Sequence, residues 1–152
     1  MTSSKILIVD DIVVNVKLVR AHLEAAGYTN FVTQTDASEA LATIHKEAPD
    51  VVLLDIMMPD VSGIDILREL RANTATARLP VLVLTGADSH ALKAEALDMG
   101  ATDFLTKPID VDDLLPRVRN SLTMKAYEDN LRAQVEHRTA ELERSQREII
   151  HC

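Results

Sequence analysis

The sequence predicts an α/β protein with a doubly wound parallel sheet of five strands. Five short strand-like runs alternate along the chain with segments whose apolar residues follow helical spacing. The loops between them are short, as expected where each helix returns the chain to a parallel strand. Four of the runs also end in residues of related chemistry, and parallel strands would bring these ends to one edge of the sheet.

The strand-like runs differ in their expected place in the sheet. They are Lys5–Val9, Phe31–Thr35, Val51–Leu54, Val81–Leu84 and Asp103–Thr106. The third and fourth are continuously aliphatic, which is typical of central strands covered by helices on both faces. The second alternates polar and apolar residues and suits an edge. The strand orders 2-1-3-4-5 and 3-2-1-4-5 both remain open, although no glycine-rich turn follows the first run and no P-loop is present.

Helical spacing of apolar residues, and residues that cap or end helices, predict four helices between these runs. The first has the apolar face Ile12, Val16, Val19, Leu23 and Ala26, and Gly27 closes it. Asp36 is the expected N-cap of the second, whose apolar face is Ala37, Ala40, Leu41, Ile44 and Ala48 and which Pro49–Asp50 ends. The third follows the loop Pro59–Gly63 and begins with Ile64, Leu67 and Leu70. The fourth, about Ser89 to Met99 before Gly100, is alanine-rich and should pack most loosely.

A final helix is expected from about Val111 to the end of the chain, because no proline or glycine follows Pro116. Its apolar residues fit a heptad seam that three polar residues complete, in the order Glu128, Leu131, Val135, Arg138, Leu142, Ser145 and Ile149. We interpret this seam as a weak coiled coil and expect a parallel dimer through it. A solvated, charged helix is the alternative. Because no capping residue closes the helix, we expect the natural protein to continue.

Composition excludes several function classes. The 152 residues, 47% hydrophobic, are enough for one domain with a full core. The net charge of −8 and the lack of a Lys/Arg cluster disfavour direct nucleic-acid binding, which depends on concentrated positive charge. No apolar run is long enough to span a membrane. The single cysteine, Cys152, and the absence of a signal-peptide pattern predict a cytoplasmic location.

The residues at the strand ends have the chemistry of a metal-assisted phosphoryl site. If the first and third strands are neighbours, Asp10, Asp11 and Asp55 cluster, and such carboxylates favour a hard divalent cation, Mg²⁺ or Mn²⁺. A carboxylate whose charge a metal offsets can attack phosphorus, and Asp55 is best placed to do so. Lys107 and Thr85 would engage the phosphoryl oxygens. Taken singly, each residue is as well explained as a cap, a turn or a surface charge.

Taken together, these residues resemble the receiver domains of two-component response regulators. The resemblance covers about residues 4–122 and rests on four motifs: Ile8–Asp11, Leu54–Gly63, Leu84–Ala87 and Phe104–Pro108. It implies a flavodoxin-like fold with strand order 2-1-3-4-5. It also implies a domain division into a receiver, 1–122, and a helical coiled-coil linker, 123–152, cut off before an output domain.

The resemblance assigns a role to each matching position. It implies that Asp55 accepts a phosphoryl group from a histidine kinase or a phosphotransfer protein. Asp11, Asp55 and the backbone carbonyl of Met57 would bind Mg²⁺ directly, and Asp10 would hold a metal-bound water. The other implied roles are a switch pair, Thr85 and Phe104, a charged contact, Lys107, and a cis peptide bond, Lys107–Pro108.

The helix after the receiver resembles the linkers that precede HD-GYP-type phosphodiesterases and GGDEF-type cyclases. This implies a cyclic-dinucleotide enzyme as output domain, and the parallel homodimer through the helix is a separate hypothesis from the heptad seam. Two other functions remain open. A stand-alone adaptor or phosphate sink is disfavoured by the uncapped end. A haloacid-dehalogenase-like phosphatase is disfavoured because Met57 stands where such enzymes carry a second aspartate, and methionine cannot transfer protons.

Overall fold

The computed structural model describes residues 3–59, 61–86 and 90–151, with side chains up to residue 143. Its centre is a parallel five-stranded sheet with the order β2-β1-β3-β4-β5, which confirms the 2-1-3-4-5 prediction. The strands are β1 (Lys5–Val9), β2 (Asn30–Gln34), β3 (Val51–Asp55), β4 (Val81–Thr85) and β5 (Asp103–Thr106). The aliphatic runs β3 and β4 are fully buried, whereas β2 at the edge is half exposed.

Five helices cover the two faces of the sheet. They are α1 (Val13–Ala25), α2 (Ala40–Glu47), α3 (Gly63–Ala72), α4 (His90–Asp98) and α5 (Val111–His151). One buried cluster joins the sheet to α1 and α5 through residues such as Leu23 and Val118. The other joins it to α2, α3 and α4 through residues such as Ile44, Leu67 and Ala96. Two packed layers therefore hold the strand ends in fixed register.

Some helix ends differ from the sequence prediction. The second helix was expected to start after Asp36, but Asp36 instead caps a short 3-10 turn, Ala37–Glu39, by accepting a hydrogen bond from the Ser38 N–H, and α2 begins at Ala40. Ala48 adopts a left-handed conformation after α2 and lies outside its apolar face. Ile12 precedes α1 and is half exposed. The expected helix start at Ser89 lies outside the described residues.

Helix α5 extends well beyond the sheet. Its 41 residues correspond to about 60 Å at 1.5 Å per residue. Only its first part packs in the core, through Leu114, Val118 and Leu122. The described apolar seam residues Leu131, Val135 and Leu142 are 47%, 57% and 66% exposed. The seam side chains of Ser145 and Ile149 lie outside the described residues. In the part of the chain that the structure describes, no helix is long and apolar enough to cross a membrane.

Candidate phosphoryl-transfer site

The carboxyl ends of four adjacent strands place the predicted site residues at one edge of the sheet. Asp10 follows β1, Asp55 ends β3, Thr85 ends β4 and Lys107 follows β5. Parallel pairing sets Val9 opposite Leu54, Asp55 opposite Leu84, and Thr85 opposite Thr106. The convergence expected from the sequence is therefore a direct result of strand order and register.

Three carboxylates form the floor of this site. Oxygens of Asp10, Asp11 and Asp55 lie within 4.8 Å of one another. Asp10 and Asp55 are buried, and Asp11 is half buried with its Oδ1 atom shielded from solvent and without a hydrogen-bond partner among the described residues. Buried acceptors are normally satisfied, and clustered carboxylates repel one another. An all-oxygen donor set with an unsatisfied oxygen fits a hard divalent cation such as Mg²⁺.

Lys107 partly offsets this negative charge. Its ammonium group lies 3.0 Å from Asp55 Oδ2 and 3.2 Å from Asp10 Oδ2. Burial disfavours the charged ammonium, but the hydrogen bonds and charges of Asp55 and Asp10 outweigh it and raise the pKa of Lys107. The following peptide bond, Lys107–Pro108, is cis. Lys107 therefore stays protonated at the mouth of the site.

Asp55 is held from two sides. Its Oδ1 atom accepts a hydrogen bond of 3.1 Å from the Met57 N–H, and its Oδ2 atom pairs with Lys107. Burial is the largest effect on its ionisation and, with the nearby charge of Asp10, raises the pKa of Asp55 to about 6 despite the opposing contact with Lys107. At neutral pH the carboxylate is still ionised, so it can act as a nucleophile.

Thr85 and Phe104 lie on β4 and β5, and among the described residues the Thr85 hydroxyl has no hydrogen bond to the three carboxylates. The buried Thr85 hydroxyl donates a long hydrogen bond of 3.5 Å to the Leu105 carbonyl. Phe104 is half buried, and the Lys93 ammonium lies 5.2 Å from the centre of its ring. The structure thus unites Asp10, Asp11, Asp55 and Lys107, and leaves Thr85 and Phe104 on the neighbouring strands.

Two residues near the site, Gly63 and Lys93, have a role that the sequence did not predict. A Cβ atom on Gly63 would lie 2.5 Å from the Asp55 carbonyl oxygen and 2.6 Å from Ile56 Cα, so only glycine fits behind the nucleophile. The sequence feature that could have identified Gly63 is its place directly after the N-cap Ser62, which accepts a hydrogen bond from the Ile64 N–H. Lys93 carried no such signal, because its contact with Phe104 depends on how α4 packs beside β5.

Comparison with known proteins identifies the family. The model for the response regulator receiver domain matches residues 6–119. The chain belongs to this family. Receiver domains are phosphoacceptor signalling domains that histidine kinases phosphorylate, and they bind Mg²⁺ at an acidic cluster of the kind that Asp10, Asp11 and Asp55 form here. Membership in this family favours a receiver over the phosphatase alternative.

Several relatives show the same receiver. The chain is 42% identical over 130 residues to the response regulator PleD of Caulobacter vibrioides, covering 86% of this chain and 28% of PleD. It is 37% identical over 117 residues to the alkaline phosphatase synthesis transcriptional regulatory protein PhoP of Bacillus subtilis, covering 77% and 48%. The chain thus spans less than half the length of these relatives. The chemotaxis response regulator CheY4 of Vibrio cholerae superposes with a TM-score of 0.71 at 33% identity, covering 78% of this chain and 98% of CheY4.

Proposed function

We propose that Asp55 accepts a phosphoryl group from the phosphohistidine of a sensor histidine kinase or a phosphotransfer protein. The position of Asp55 is the observation that carries the proposal: it is a buried, ionised carboxylate between a lysine and two further carboxylates, at the carboxyl end of a central strand. One of its oxygens attacks phosphorus, the phosphorus–nitrogen bond breaks, and an acyl phosphate remains on Asp55.

Asp11, Asp55 and the Met57 backbone carbonyl are proposed to hold Mg²⁺, or Mn²⁺ in its place, directly. Asp10 would orient a metal-bound water. The cation supplies neutralisation of charge on the phosphoryl oxygens. The unsatisfied Asp11 oxygen and the mutual repulsion of the three carboxylates support this assignment.

Lys107 and Thr85 are proposed to bind the oxygens of the transferred group. Lys107 already lies within hydrogen-bond distance of Asp55, so a small movement of its ammonium group would reach a phosphoryl oxygen. The long bond from Thr85 to Leu105 is weak, and little is lost when the hydroxyl turns toward the acyl phosphate. Phe104 would then fill the vacated space, which shifts the population of two surface states.

The site is proposed to store the phosphoryl group and not to turn over substrates. Met57 stands two residues after the nucleophile and offers no group that could donate or accept a proton. Hydrolysis of the acyl phosphate therefore depends on water alone and is slow. The chain acts as a signalling domain whose own chemistry is limited to self-phosphorylation and slow self-dephosphorylation.

The phosphorylated state is proposed to act through the end of α5. On this proposal residues 1–122 form the receiver, and residues 123–152 form a linker that pairs with a second copy and leads to an output domain. The similarity to PleD, a response regulator, supports a longer signalling protein. A cyclic-dinucleotide enzyme is the proposed output, and this segment makes no nucleic-acid contact of its own.

The phosphoacceptor proposal is tested with acetyl phosphate and Mg²⁺, followed by intact-mass measurement. We expect one phosphoryl adduct on the wild-type chain, none on Asp55→Asn, and none when EDTA removes the metal. Asp98→Asn is a matched control, because Asp98 is exposed at the end of α4 and outside the site. An equal adduct on Asp55→Asn would refute the assignment.

The dimer proposal needs a separate measurement. Light scattering of the phosphorylated and unphosphorylated chain is expected to show a dimeric mass in at least one state. A chain shortened after residue 122 should be monomeric under the same conditions. A monomeric mass for the full chain in both states would refute pairing through α5.

A further inference from the structure

A cavity of about 270 Å³ lies at the opposite end of the sheet from the aspartate cluster. The end of α2, the segment before β4 and the projecting part of α5 enclose it. Its apolar wall is formed by Ile44, Pro49 and Leu79. The cavity is therefore a junction between the receiver and the helix that leaves it, and it shares no residue with the phosphoryl site.

The cavity also has a cationic wall. Arg78, Arg132 and Lys125 form this wall, and the imidazole of His45 and one carboxylate, Asp129, also line the cavity. Lys125 neutralises Asp129 at 2.8 Å. Among the described residues, the guanidinium groups of Arg78 and Arg132 form no hydrogen bond or ion pair. Both arginines are exposed at the cavity, so their guanidinium groups are accessible to an anionic ligand.

We propose that this cavity binds a nucleoside phosphate. A guanidinium group presents a planar fork of donors that matches phosphate oxygens, so Arg78 and Arg132 would hold the phosphates. The apolar wall of Ile44, Pro49 and Leu79 would cover the base. Small-molecule sites typically combine apolar walls with a few polar groups, as this cavity does, and its volume of about 270 Å³ lies just below their usual range, so part of the ligand would remain exposed to solvent.

Such a ligand would connect the receiver to its output helix. Arg132 belongs to α5, whereas Arg78 and the apolar wall belong to the receiver body. Among the described residues, this α5 segment forms one ion pair with the receiver body, the 3.5 Å contact between Lys125 and Asp50. A ligand that touches both sides adds contacts across the junction and fixes the direction of the helix. The inference does not rest on phosphorylation of Asp55.

Titration calorimetry with ADP in EDTA tests the proposal on the full chain. We expect saturable binding of ADP, weaker binding of inorganic pyrophosphate, and none of adenosine. Arg78→Ala and Arg132→Ala should each weaken ADP binding about tenfold or more, the effect expected for losing a charged hydrogen bond. Arg119→Ala removes the same charge from an exposed part of α5 away from the cavity and should leave binding unchanged.

Hydrogen exchange provides a second readout. Bound ADP should slow amide exchange in residues 125–132, and far-UV circular dichroism should show that each variant is folded. Asp55→Asn should bind ADP as the wild type does, which separates this site from the phosphoryl site. Absence of saturable binding at millimolar ADP, or an equal loss in Arg119→Ala, would overturn the proposal. Equal affinity for pyrophosphate and ADP would overturn the nucleoside part.

Discussion

Replacing Asp55 by asparagine is expected to stabilise the metal-free protein at neutral pH. The side chain is buried, and burial with the neighbouring Asp10 charge raises the pKa of Asp55 from its ordinary 3.8 to about 6. At about 1.4 kcal/mol per pKa unit, the ionised carboxylate costs the fold about 3 kcal/mol. The asparagine Oδ1 can still accept from Met57, but its NH₂ group would face the Lys107 donors. We therefore expect a net gain of about 2 kcal/mol.

The gain should depend on pH in a defined direction. Because the folded-state pKa of Asp55 lies above the unfolded value, protonation stabilises the wild type, fully below pH 3.8, and this contribution is lost as pH rises through 6. The difference in unfolding free energy between Asp55→Asn and wild type should thus be largest at pH 8 and largely gone at pH 4.

Urea unfolding in EDTA at pH 4, 5, 6 and 8, followed by circular dichroism, measures this difference. Asp98→Asn serves again as the exposed control and should change stability by no more than a few tenths of a kcal/mol. Millimolar Mg²⁺ should reverse the order at pH 8, because the wild type binds the ion and is stabilised by mass action. A gain independent of pH, or a loss at pH 8 in EDTA, would refute the reasoning.

Further predictions concern four other positions. Gly63→Ala should destabilise the protein by about 2 kcal/mol or more in urea unfolding, because its Cβ would lie 2.5 Å from a backbone oxygen; an unchanged midpoint would contradict this. Arg71→Ala should cost about 2 kcal/mol in the same assay, since its guanidinium donates to the carbonyls of Gly100, Thr76 and Ala77. Lys107→Met should slow acetyl-phosphate labelling while Mg²⁺ still binds, as followed by intact mass and calorimetry. Arg138→Leu should strengthen a parallel dimer, as measured by sedimentation, because Arg138 would otherwise face Arg138 of the second copy. Weaker association would favour antiparallel pairing, with Glu128 opposite Arg138.

Much of the fold follows from the sequence because its signals are local. The aliphatic runs at Val51 and Val81 could only be central strands, and the structure buries both completely. Local patterns did not determine the strand order, because apolar patterning allowed two orders. The resemblance of the motifs to receiver domains selected one of them. The start of α2 was misplaced because Asp36 caps a 3-10 turn as readily as an α-helix, and its hydrogen bond to Ser38 has the same sequence signal in both cases.

The positions of the site residues could be predicted from the sequence about as well as the fold. Residue types at strand ends located Asp10, Asp11, Asp55 and Lys107 because parallel strands end at one edge. The orientation of side chains could not be predicted from the sequence. The Thr85 hydroxyl faces the Leu105 carbonyl, and this depends on its rotamer and on the packing of β5. The close approach of Gly63 to the strand end likewise depends on where α3 packs.

The side chains of the site hold the charge imbalance that the proposed switch would use. Three carboxylates and one ammonium group leave a formal charge of −2, and one oxygen of Asp11 has no partner among the described residues. A divalent cation balances this charge, and an acyl phosphate on Asp55 then adds negative charge again. On our proposal, Lys107, now shared between Asp10 and Asp55, would turn to the new oxygens, and the Thr85 hydroxyl would give up only a 3.5 Å bond to join it. Because a ligand shifts an equilibrium only by its differential affinity for two states, the free energy gained from these two new contacts would limit how far phosphorylation can shift the proposed switch.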